Sequence, residues 1–267
     1  MGTITVVVPV YNKASYIKEA LQSIYRQTFR DWTLLIIDDA SGDDTVSIAR
    51  GSIVHDRARI ITLRRNMGIC HVLNLALELI DTPYFIQLDG DDWLEPEALE
   101  MLYGEMLRCS PSTALVYGDT CYWHEINGVL KFRKMVNQRV FRDRYDFAAY
   151  DPMVQPRFYK TSCVREVGGW EIDELTGGRL MEDRRMLLSL LDRYSFAHVK
   201  RVLYHYRYHQ HNLSQQHNIP LYNQLRKKYT EQALLRWGNN YKAEMTGLPN
   251  QWQSISLVPV SGKGAGK

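Results

Sequence analysis

The chain of 267 residues is long enough for one large domain or two small ones, and its composition is that of a globular protein. Hydrophobic residues make up 45% of the chain and charged residues 24%, which excludes an intrinsically disordered protein. The net charge of +3 is too small for a nucleic-acid-binding domain. We therefore expect a folded protein without a nucleic-acid partner.

The hydrophobic runs are too short to cross a membrane. The longest of them, such as residues 4–10 and 34–37, fall far below the roughly 18 to 20 apolar residues of a membrane helix. The chain does not open with a basic stretch followed by an apolar signal region. These features predict a cytoplasmic protein without a transmembrane segment. They leave room for peripheral association with the inner face of the membrane.

The first half of the chain alternates short apolar runs with stretches of helical periodicity. Strands are predicted over residues 3–10, 32–37, 59–63, 84–88 and 115–117. Helices are predicted over residues 15–27, 43–54, 68–80 and 96–107. This alternation predicts an α/β fold with a mostly parallel central sheet flanked by helices.

The second half is less regular. From about residue 120 the sequence is rich in aromatic residues and glycine pairs, and helical spacing returns over residues 182–191 and 219–237. Residues 261–267 consist of small residues and lysines with nothing to bury, so we expect the end of the chain to be disordered.

Three of the predicted strands run directly into polar or acidic residues. Tyr11 and Asn12 follow the first strand, Asp38 and Asp39 the second, and Asp89 the fourth. Since the carboxyl ends of parallel strands share one edge of the sheet, where ligands bind, these side chains should be neighbours. Two adjacent acids at a strand end repel each other unless one of them meets a donor or a cation. We therefore expect Asp39 to contact a ligand.

The run Asp89-Gly-Asp-Asp92 is the strongest local signal. Three carboxylates within four residues repel one another, and a divalent cation would relieve that repulsion. Mg²⁺ usually binds one or two protein carboxylates and completes its shell with water and substrate phosphates. The run therefore predicts a site for a metal and a diphosphate. The alternative is an acidic turn that caps the helix beginning near Glu95.

Four motifs, in this order, resemble those of the family 2 glycosyltransferases: Val8-Pro-Val-Tyr-Asn12, Ile37-Asp-Asp-Ala-Ser-Gly-Asp-Asp-Thr45, Asn66-Met-Gly68 and Leu88-Asp-Gly-Asp-Asp92. The resemblance continues with Glu166-Val-Gly-Gly-Trp170, Met181-Glu-Asp183 and Leu203-Tyr-His-Tyr-Arg-Tyr-His209, and it covers roughly residues 3–214. It implies the GT-A fold, a Rossmann-like sheet with a nucleotide-sugar half and an acceptor half.

The resemblance and the periodicity together predict the domain organisation. A single GT-A catalytic domain should span residues 1–217, with the nucleotide-sugar half at 1–119 and the acceptor half at 120–217. A helical extension is expected over residues 218–250 and a flexible tail over residues 251–267.

The resemblance implies that the strand-end residues bind the donor. Asp39 would accept a hydrogen bond from the base, most often uracil, and Asp89 would contact the ribose or the metal. Asp91 would bind Mn²⁺ or Mg²⁺ that bridges the diphosphate. The other implied nucleotide-binding positions are Pro9, Tyr11, Asn12, Asn66, Gly68 and Gly90, and the further candidate metal ligands are Asp89, Asp92 and His209.

The later motifs supply the implied chemistry. Asp183 would be the general base that takes the proton from the acceptor, supported by Glu182, and Arg207 would contact the diphosphate. Trp170 would lie on the acceptor side. The alternative for Asp183 and Glu182 is compensation of a helix dipole at a helix start, and the alternative for Trp170 is a place in the core.

The sequence departs from the family pattern after the Asn-x-Gly turn. Many relatives carry a basic residue in the following helix, whereas Gly68 is followed here by an apolar run. Arg64, Arg65 and His71 are candidate replacements. The histidines at positions 205, 209, 211 and 217 are interpreted as surface or core residues rather than as a zinc site, with His209 the best candidate for a diphosphate or metal contact.

The resemblance implies an inverting glycosyltransferase that moves a hexose or N-acetylhexosamine from a nucleotide diphosphate sugar, with UDP the expected nucleotide, to an acceptor hydroxyl. The acceptor would be a glycan, a lipid-linked compound or a small molecule, in cell-surface or exopolysaccharide synthesis. One alternative is a non-catalytic nucleotide-sugar-binding or scaffold protein. Another is a nucleotidyltransferase, although Tyr11-Asn-Lys-Ala-Ser15 does not resemble the glycine-rich basic loop of such enzymes.

Overall fold

The computed structural model describes residues 2–54, 56–173, 175–210, 212 and 218–260, which form eleven strands and eight helices. The strands are β1 Ile4–Val10, β2 Trp32–Asp38, β3 Ala58–Thr62, β4 Tyr84–Gln87, β5 Trp93–Leu94, β6 Thr113–Ile126, β7 Val129–Val136, β8 Gln155–Lys160, β9 Ser195–Tyr208, β10 Tyr241–Thr246 and β11 Ser254–Pro259. The helices are α1 Ile17–Tyr25, α2 Thr45–Ser52, α3 Ile69–Leu79, α4 Ala98–Arg108, α5 Arg144–Ala148, α6 Thr161–Glu166, α7 Glu182–Leu190 and α8 Ile219–Arg236.

The central sheet has a parallel half and a mixed half. Strands β3, β2, β1 and β4 lie side by side in that order and are all parallel, as the first half of the sequence predicts. The sheet continues through β8, β6, β9 and β5, with β8 antiparallel to both β4 and β6. Strand β8 therefore joins the two halves, and it carries residues of the acceptor half to the edge of the parallel half.

The alternation of side chains along the strands builds a core on each face of the sheet. In β1, Val6 and Val8 point to the face covered by α1 and α4, whereas Val7 points to the face covered by α3, α7 and α8. All three valines are fully buried. Because both faces are covered, β1 and β2 are almost continuously apolar, whereas the edge strand β3 is partly exposed.

Strand β6 is longer than predicted. The apolar signal covers only residues 115–117, whereas the strand runs over Thr113–Ile126 and forms a hairpin with β7. Asn127 and Gly128 connect the two strands with positive φ angles of 53° and 74°, as a tight hairpin turn requires. The outer part of this hairpin mixes aromatic and charged residues, so the alternation of apolar and polar residues typical of a strand is not apparent in its sequence.

The end of the chain differs from the predicted helical extension and tail. Helix α8 ends at Arg236, and β10 and β11 then form an antiparallel hairpin, so the predicted flexibility of residues 251–267 is wrong for Ser254–Pro259. The hairpin is held by buried polar side chains of α8. Asn223 bonds the backbone at Pro249, Gln251 and Gln253, and Arg226 bonds the carbonyl of Gln253. Residues 261–267 lie outside the described part of the chain.

Among the described residues, no helix combines the length and the apolar character that are needed to span a membrane.

Replacing Asn223 by Ala should loosen the β10–β11 hairpin. The change leaves two carbonyls and one amide of the hairpin without their partner, so we expect a loss of about 2 kcal/mol in the free energy of unfolding. Hydrogen exchange should accelerate at the amides of residues 254–259. Gln224→Ala, at the exposed neighbouring position of α8, is the matched control and should change neither quantity. Unchanged exchange in Asn223→Ala would contradict this anchoring.

Candidate active site

The loops after β1 and β2 are tied to each other at the edge of the parallel sheet. The backbone amide of Asn12 donates to Ser41 Oγ at 2.9 Å, and Asn12 Oδ1 accepts from the amide of Gly42 at 2.8 Å. Tyr11 is 47% exposed beside these contacts, and Pro9 is buried in β1 opposite Ile37. Asn12 is therefore a loop-fixing residue whose neighbour Tyr11 presents its ring to the cleft edge.

Left-handed backbone conformations occur beside the predicted site residues. Asn12, Ala40 and Met181 have φ angles of 53°, 62° and 59°. Ala40 follows Asp39 directly, and Met181 precedes Glu182 at the start of α7. Such conformations in residues other than glycine carry strain of about 1–3 kcal/mol each and cluster at functional sites. Here two of them, Ala40 and Met181, lie directly beside the acids Asp39 and Glu182.

Asp39 fixes the Asn-x-Gly turn. Its carboxylate accepts from the backbone amide of Met67 at 2.6 Å and from that of Gly68 at 2.8 Å, and the residue is 5% exposed. Gly68 has a φ of +93°, and a Cβ there would lie 2.9 Å from Arg179 Cγ. Only glycine fits this turn, because both the backbone angle and the close approach exclude a side chain.

Arg179 supplies a cation at this turn that the sequence interpretation missed. Its guanidinium donates to the side-chain oxygen of Asn66 and, at 3.3 Å, to the Asn66 carbonyl. Asn66 also donates to the Asp39 carbonyl at 3.3 Å. Arg179 lies far along the chain, in the loop before α7, and is exposed. It occupies the neighbourhood for which Arg64, Arg65 and His71 were the candidates.

Asp91 lies at the centre of a cluster of cationic and imidazole groups. Its Oδ2 contacts the ammonium of Lys13 and lies 3.0 Å from Nε2 of His209. Burial raises the pKa of Asp91, but the hydrogen bond from His209 and the charge of Lys13 outweigh burial and hold that pKa below its usual range. Gly90 is required beside it, because a Cβ would lie 2.6 Å from Val10 Cγ1.

The residues around Asp91 fit a divalent cation in part. A carboxylate oxygen and an imidazole nitrogen converge within 3.0 Å and are both buried. Over the ranges that the structure describes, no group of three or more His, Cys, Asp or Glu side chains converges on one point. A single carboxylate such as that of Asp91 is nevertheless sufficient for Mg²⁺ when substrate phosphates and water complete the shell. The donor set therefore fits a metal that binds together with a diphosphate.

Asp92 and Asp89 have different environments from Asp91. Asp92 is 2% exposed and accepts from Tyr204 Oη at 2.7 Å and from the amide of Arg207 at 2.8 Å. Burial, followed by the charges of Asp91 and Asp89, raises its pKa well above the usual range. Asp92 thus braces β9 from inside the protein. The Asp89 side chain is 33% exposed, which leaves it accessible to a ligand.

Arg207 is bonded to protein groups beside Asp91. Its Nε donates to the Asp91 carbonyl at 2.9 Å, one terminal nitrogen to Glu125 at 3.1 Å and the other to Glu19. The guanidinium lies 5.0 Å from the ring centroids of both Tyr16 and Trp93. Every guanidinium nitrogen is bonded within the protein and the residue is 5% exposed, so Arg207 fixes the backbone at Asp91, and its contact with a diphosphate stays a prediction.

Buried Arg157 connects the base candidate with the donor side. It is 1% exposed on β8, with one terminal nitrogen 3.1 Å from Asp183 Oδ2 and the other 3.9 Å from Asp89 Oδ2. Burial, followed by the charge of Asp183, raises the pKa of Glu182 well above its usual range, which favours its neutral form.

Trp170 lies in the core, and its predicted place on the acceptor side is wrong. The residue is 3% exposed and packs edge-on against Phe85 and Tyr159. Its backbone is clamped by Asn74, which accepts from the Trp170 amide at 2.7 Å and donates to its carbonyl at 2.7 Å. This was the alternative that the sequence left open.

Of the histidines other than His209 that the sequence singled out, His205 stacks on Trp93, and positions 211 and 217 lie outside the described residues.

The family model of glycosyl transferase family 2 matches residues 5–160, more than half of the chain. Chondroitin synthase of Escherichia coli is 38% identical over 115 residues, which cover 43% of this chain and 16% of that protein. The chain spans between 14% and 26% of the length of three curated relatives that it matches.

Two solved structures show the same fold. Staphylococcus aureus TarS 1-349 in complex with UDP-GlcNAc has a TM-score of 0.65 at 16% identity, over 88% of this chain and 72% of that one. The mannosyltransferase PcManGT from Pyrobaculum calidifontis, in complex with GDP-Man and Mn²⁺, has a TM-score of 0.61 at 18% identity, over 93% and 66%. The GT-A fold is thereby confirmed, and with the family match the chain belongs to the family 2 glycosyltransferases.

Proposed function

We propose that this glycosyltransferase moves a hexose or N-acetylhexosamine from a UDP-linked donor to an acceptor hydroxyl, with inversion, in the assembly of a cell-surface polysaccharide. The observation that carries the proposal is the buried Arg157 guanidinium, which holds the candidate base Asp183 next to the donor-side acid Asp89. The UDP-GlcNAc complex of TarS and the chondroitin synthase relative support the choice of donor and setting.

The donor would lie across the carboxyl edge of the parallel strands. Tyr11 offers an exposed ring beside Pro9, and the Asp39 carboxylate, each of whose oxygens accepts from one backbone amide, would accept from a base through a further lone pair. Lys13 and Arg179 are the cations that reach this edge. They would pair with the diphosphate in place of Arg207, because their charges are less fully enclosed by carboxylates.

Asp91 and His209 would hold Mn²⁺ or Mg²⁺. When bound, the metal supplies positive charge that stabilises the leaving diphosphate. The Lys13 ammonium contacts the same oxygen of Asp91, so this side chain would turn from Asp91 toward the phosphates as the donor enters. Asp92, buried behind them, keeps β9 and hence His209 in position.

Asp183 would accept the proton of the acceptor hydroxyl as that oxygen attacks the anomeric carbon. The new bond joins the acceptor oxygen to the sugar, the bond from the sugar to the diphosphate breaks, and UDP leaves with the electron pair. The Asp183 side chain is 21% exposed, so an acceptor can reach it, while Arg157 fixes one of its oxygens at 3.1 Å. A carboxylate within hydrogen-bond reach accelerates such a step by about 100-fold or more.

Asp183→Asn should abolish turnover and leave the donor site intact. We expect UDP release from the best UDP-sugar of a tested panel to fall at least about 100-fold, because the amide cannot accept the proton. UDP affinity, measured by calorimetry, should change by less than about twofold. Asp81→Asn, an exposed acid at the opposite end of β4, is the control with unchanged turnover. Undiminished turnover in Asp183→Asn would remove Asp183 from the mechanism.

Asp91→Ala should uncouple UDP binding from the metal. In the wild type, Mn²⁺ should tighten UDP binding by at least about tenfold, since the metal neutralises the diphosphate. In Asp91→Ala, we expect the same weak affinity with and without Mn²⁺, whereas Asp81→Ala should behave as the wild type. If the wild type binds none of the nucleoside diphosphates in the panel, the proposed function fails and a scaffold protein becomes the better account.

A further inference from the structure

The β6–β7 hairpin continues the sheet beyond the active site and carries a row of aromatic and cationic side chains on one face. We call it the basic aromatic strip: Tyr122, His124, Arg133, Lys134, Tyr206 and Tyr208. Parallel pairing aligns Tyr122 with Tyr206 and His124 with Tyr208, and antiparallel pairing places Lys134 opposite Tyr122. Aligned residues of neighbouring strands share a face, so these side chains form a continuous surface.

The side chains of the strip contact one another. The ring centroids of Tyr122 and Tyr206 are 5.1 Å apart, and those of His124 and Tyr208 are 5.2 Å apart. The guanidinium carbon of Arg133 lies 5.4 Å from the centroid of Tyr208, and Lys134 Nζ lies 5.3 Å from that of Tyr122. A register shift after Tyr122 places the extra residue Arg133 within reach of Tyr208. The strip thus offers ring faces with cations held over them.

The cations of the hairpin are not neutralised by carboxylates. Lys131, Arg133 and Lys134 are exposed, and among the residues described here none of them forms an ion pair with an acid. The single acid of residues 122–136 is Glu125, which alternation places on the opposite face, where it pairs with Arg207 at 3.1 Å. The strip therefore presents positive charge to a ligand bound on this face of the hairpin.

The strip leads to the catalytic end of the sheet. Tyr122 lies two residues after Thr120, which pairs with Tyr204, and Tyr204 Oη donates to Asp92 of the acidic run at 2.7 Å. From Tyr122 the surface runs outward through Lys134 and Tyr206 to Arg133 and Tyr208. A chain with its end at Asp183 would pass along these residues.

We propose that the basic aromatic strip binds the acceptor, and that this acceptor is an oligosaccharide bearing negative groups, either carboxylates or phosphates. Ring faces suit the apolar faces of sugars, and Arg and Lys suit carboxylate and phosphate oxygens. The exposed Phe132 and Met135 lie on the opposite face with Trp123, whereas the exposed Ile126 and Val129 lie at the hairpin tip on the face of the strip. An anionic membrane as the occupant is therefore one outcome of the test. The proposal rests on the proposed transferase function and adds the chemical class of its acceptor.

Calorimetry with defined oligosaccharides tests the proposal. The probes are a hexasaccharide of alternating N-acetylglucosamine and glucuronic acid, a glycerol phosphate oligomer of similar length, and the neutral N-acetylglucosamine hexamer. We expect the wild type to bind at least one of the anionic probes at least about tenfold more tightly than the neutral one. Which of the two binds distinguishes carboxylate from phosphate as the anionic group.

Two double variants, each of which removes two positive charges, distinguish a specific effect of the strip from an effect of net charge. Arg133→Gln/Lys134→Gln should weaken binding of the anionic probe about tenfold, whereas Lys227→Gln/Lys228→Gln, on the exposed side of α8, should leave it unchanged. UDP affinity should be unchanged in both. Tyr208→Leu should weaken binding of the same probe without any change of charge.

Three results would overturn the proposal: equal affinity for the neutral and anionic probes, equal losses in the two double variants, or binding to phosphatidylglycerol vesicles that depends on Arg133 and Lys134 while no oligosaccharide binds. Each of these is distinguishable from failure of the proposed function, since UDP binding to the same samples reports on the donor site independently.

Discussion

The arrangement of this active site depends on one buried cation. The Arg157 guanidinium lies inside the protein between two carboxylates, Asp183 at 3.1 Å and Asp89 at 3.9 Å. Without it, neither acid would have this buried counter-charge beside it. Removal of one partner of such a buried cluster commonly destabilises a protein by about 3–5 kcal/mol. Arg157 therefore supports both the local fold and the position of the base.

The sheet topology explains how this cation comes to lie there. Strand β8 is antiparallel to β4, and it places Arg157 opposite Gln87, two residues before Asp89. Gln87 itself donates to Asp89 at 3.0 Å. The start of α7 approaches the same point from the acceptor half, through the left-handed Met181. The two halves of the protein therefore meet at a charged contact, and the donor and acceptor sides cannot be positioned independently.

The parallel half and its acids could be predicted from sequence, because each apolar strand ends visibly in a polar residue. Arg157 could not, since a single arginine among apolar residues has no local pattern that tells a buried ion pair from a surface charge. Trp170 was placed on the acceptor side by the family resemblance of residues 166–170, whereas a place in the core was the alternative that the sequence left open. The β10 strand, in contrast, does alternate: Tyr241, Ala243 and Met245 face inward, and this signal could have revealed the hairpin.

The central claim is that Arg157 acts through Asp183, and a double-mutant cycle tests it directly. The rates of UDP release are measured for the wild type, Arg157→Lys, Asp183→Asn and the double variant, with melting temperatures to confirm that each one folds. If Arg157 serves to hold the base in place, the double variant should be about as slow as Asp183→Asn alone, with a coupling energy of at least about 1 kcal/mol. If the rate reductions of the two single variants multiply in the double variant, Arg157 and Asp183 act independently and the account is contradicted.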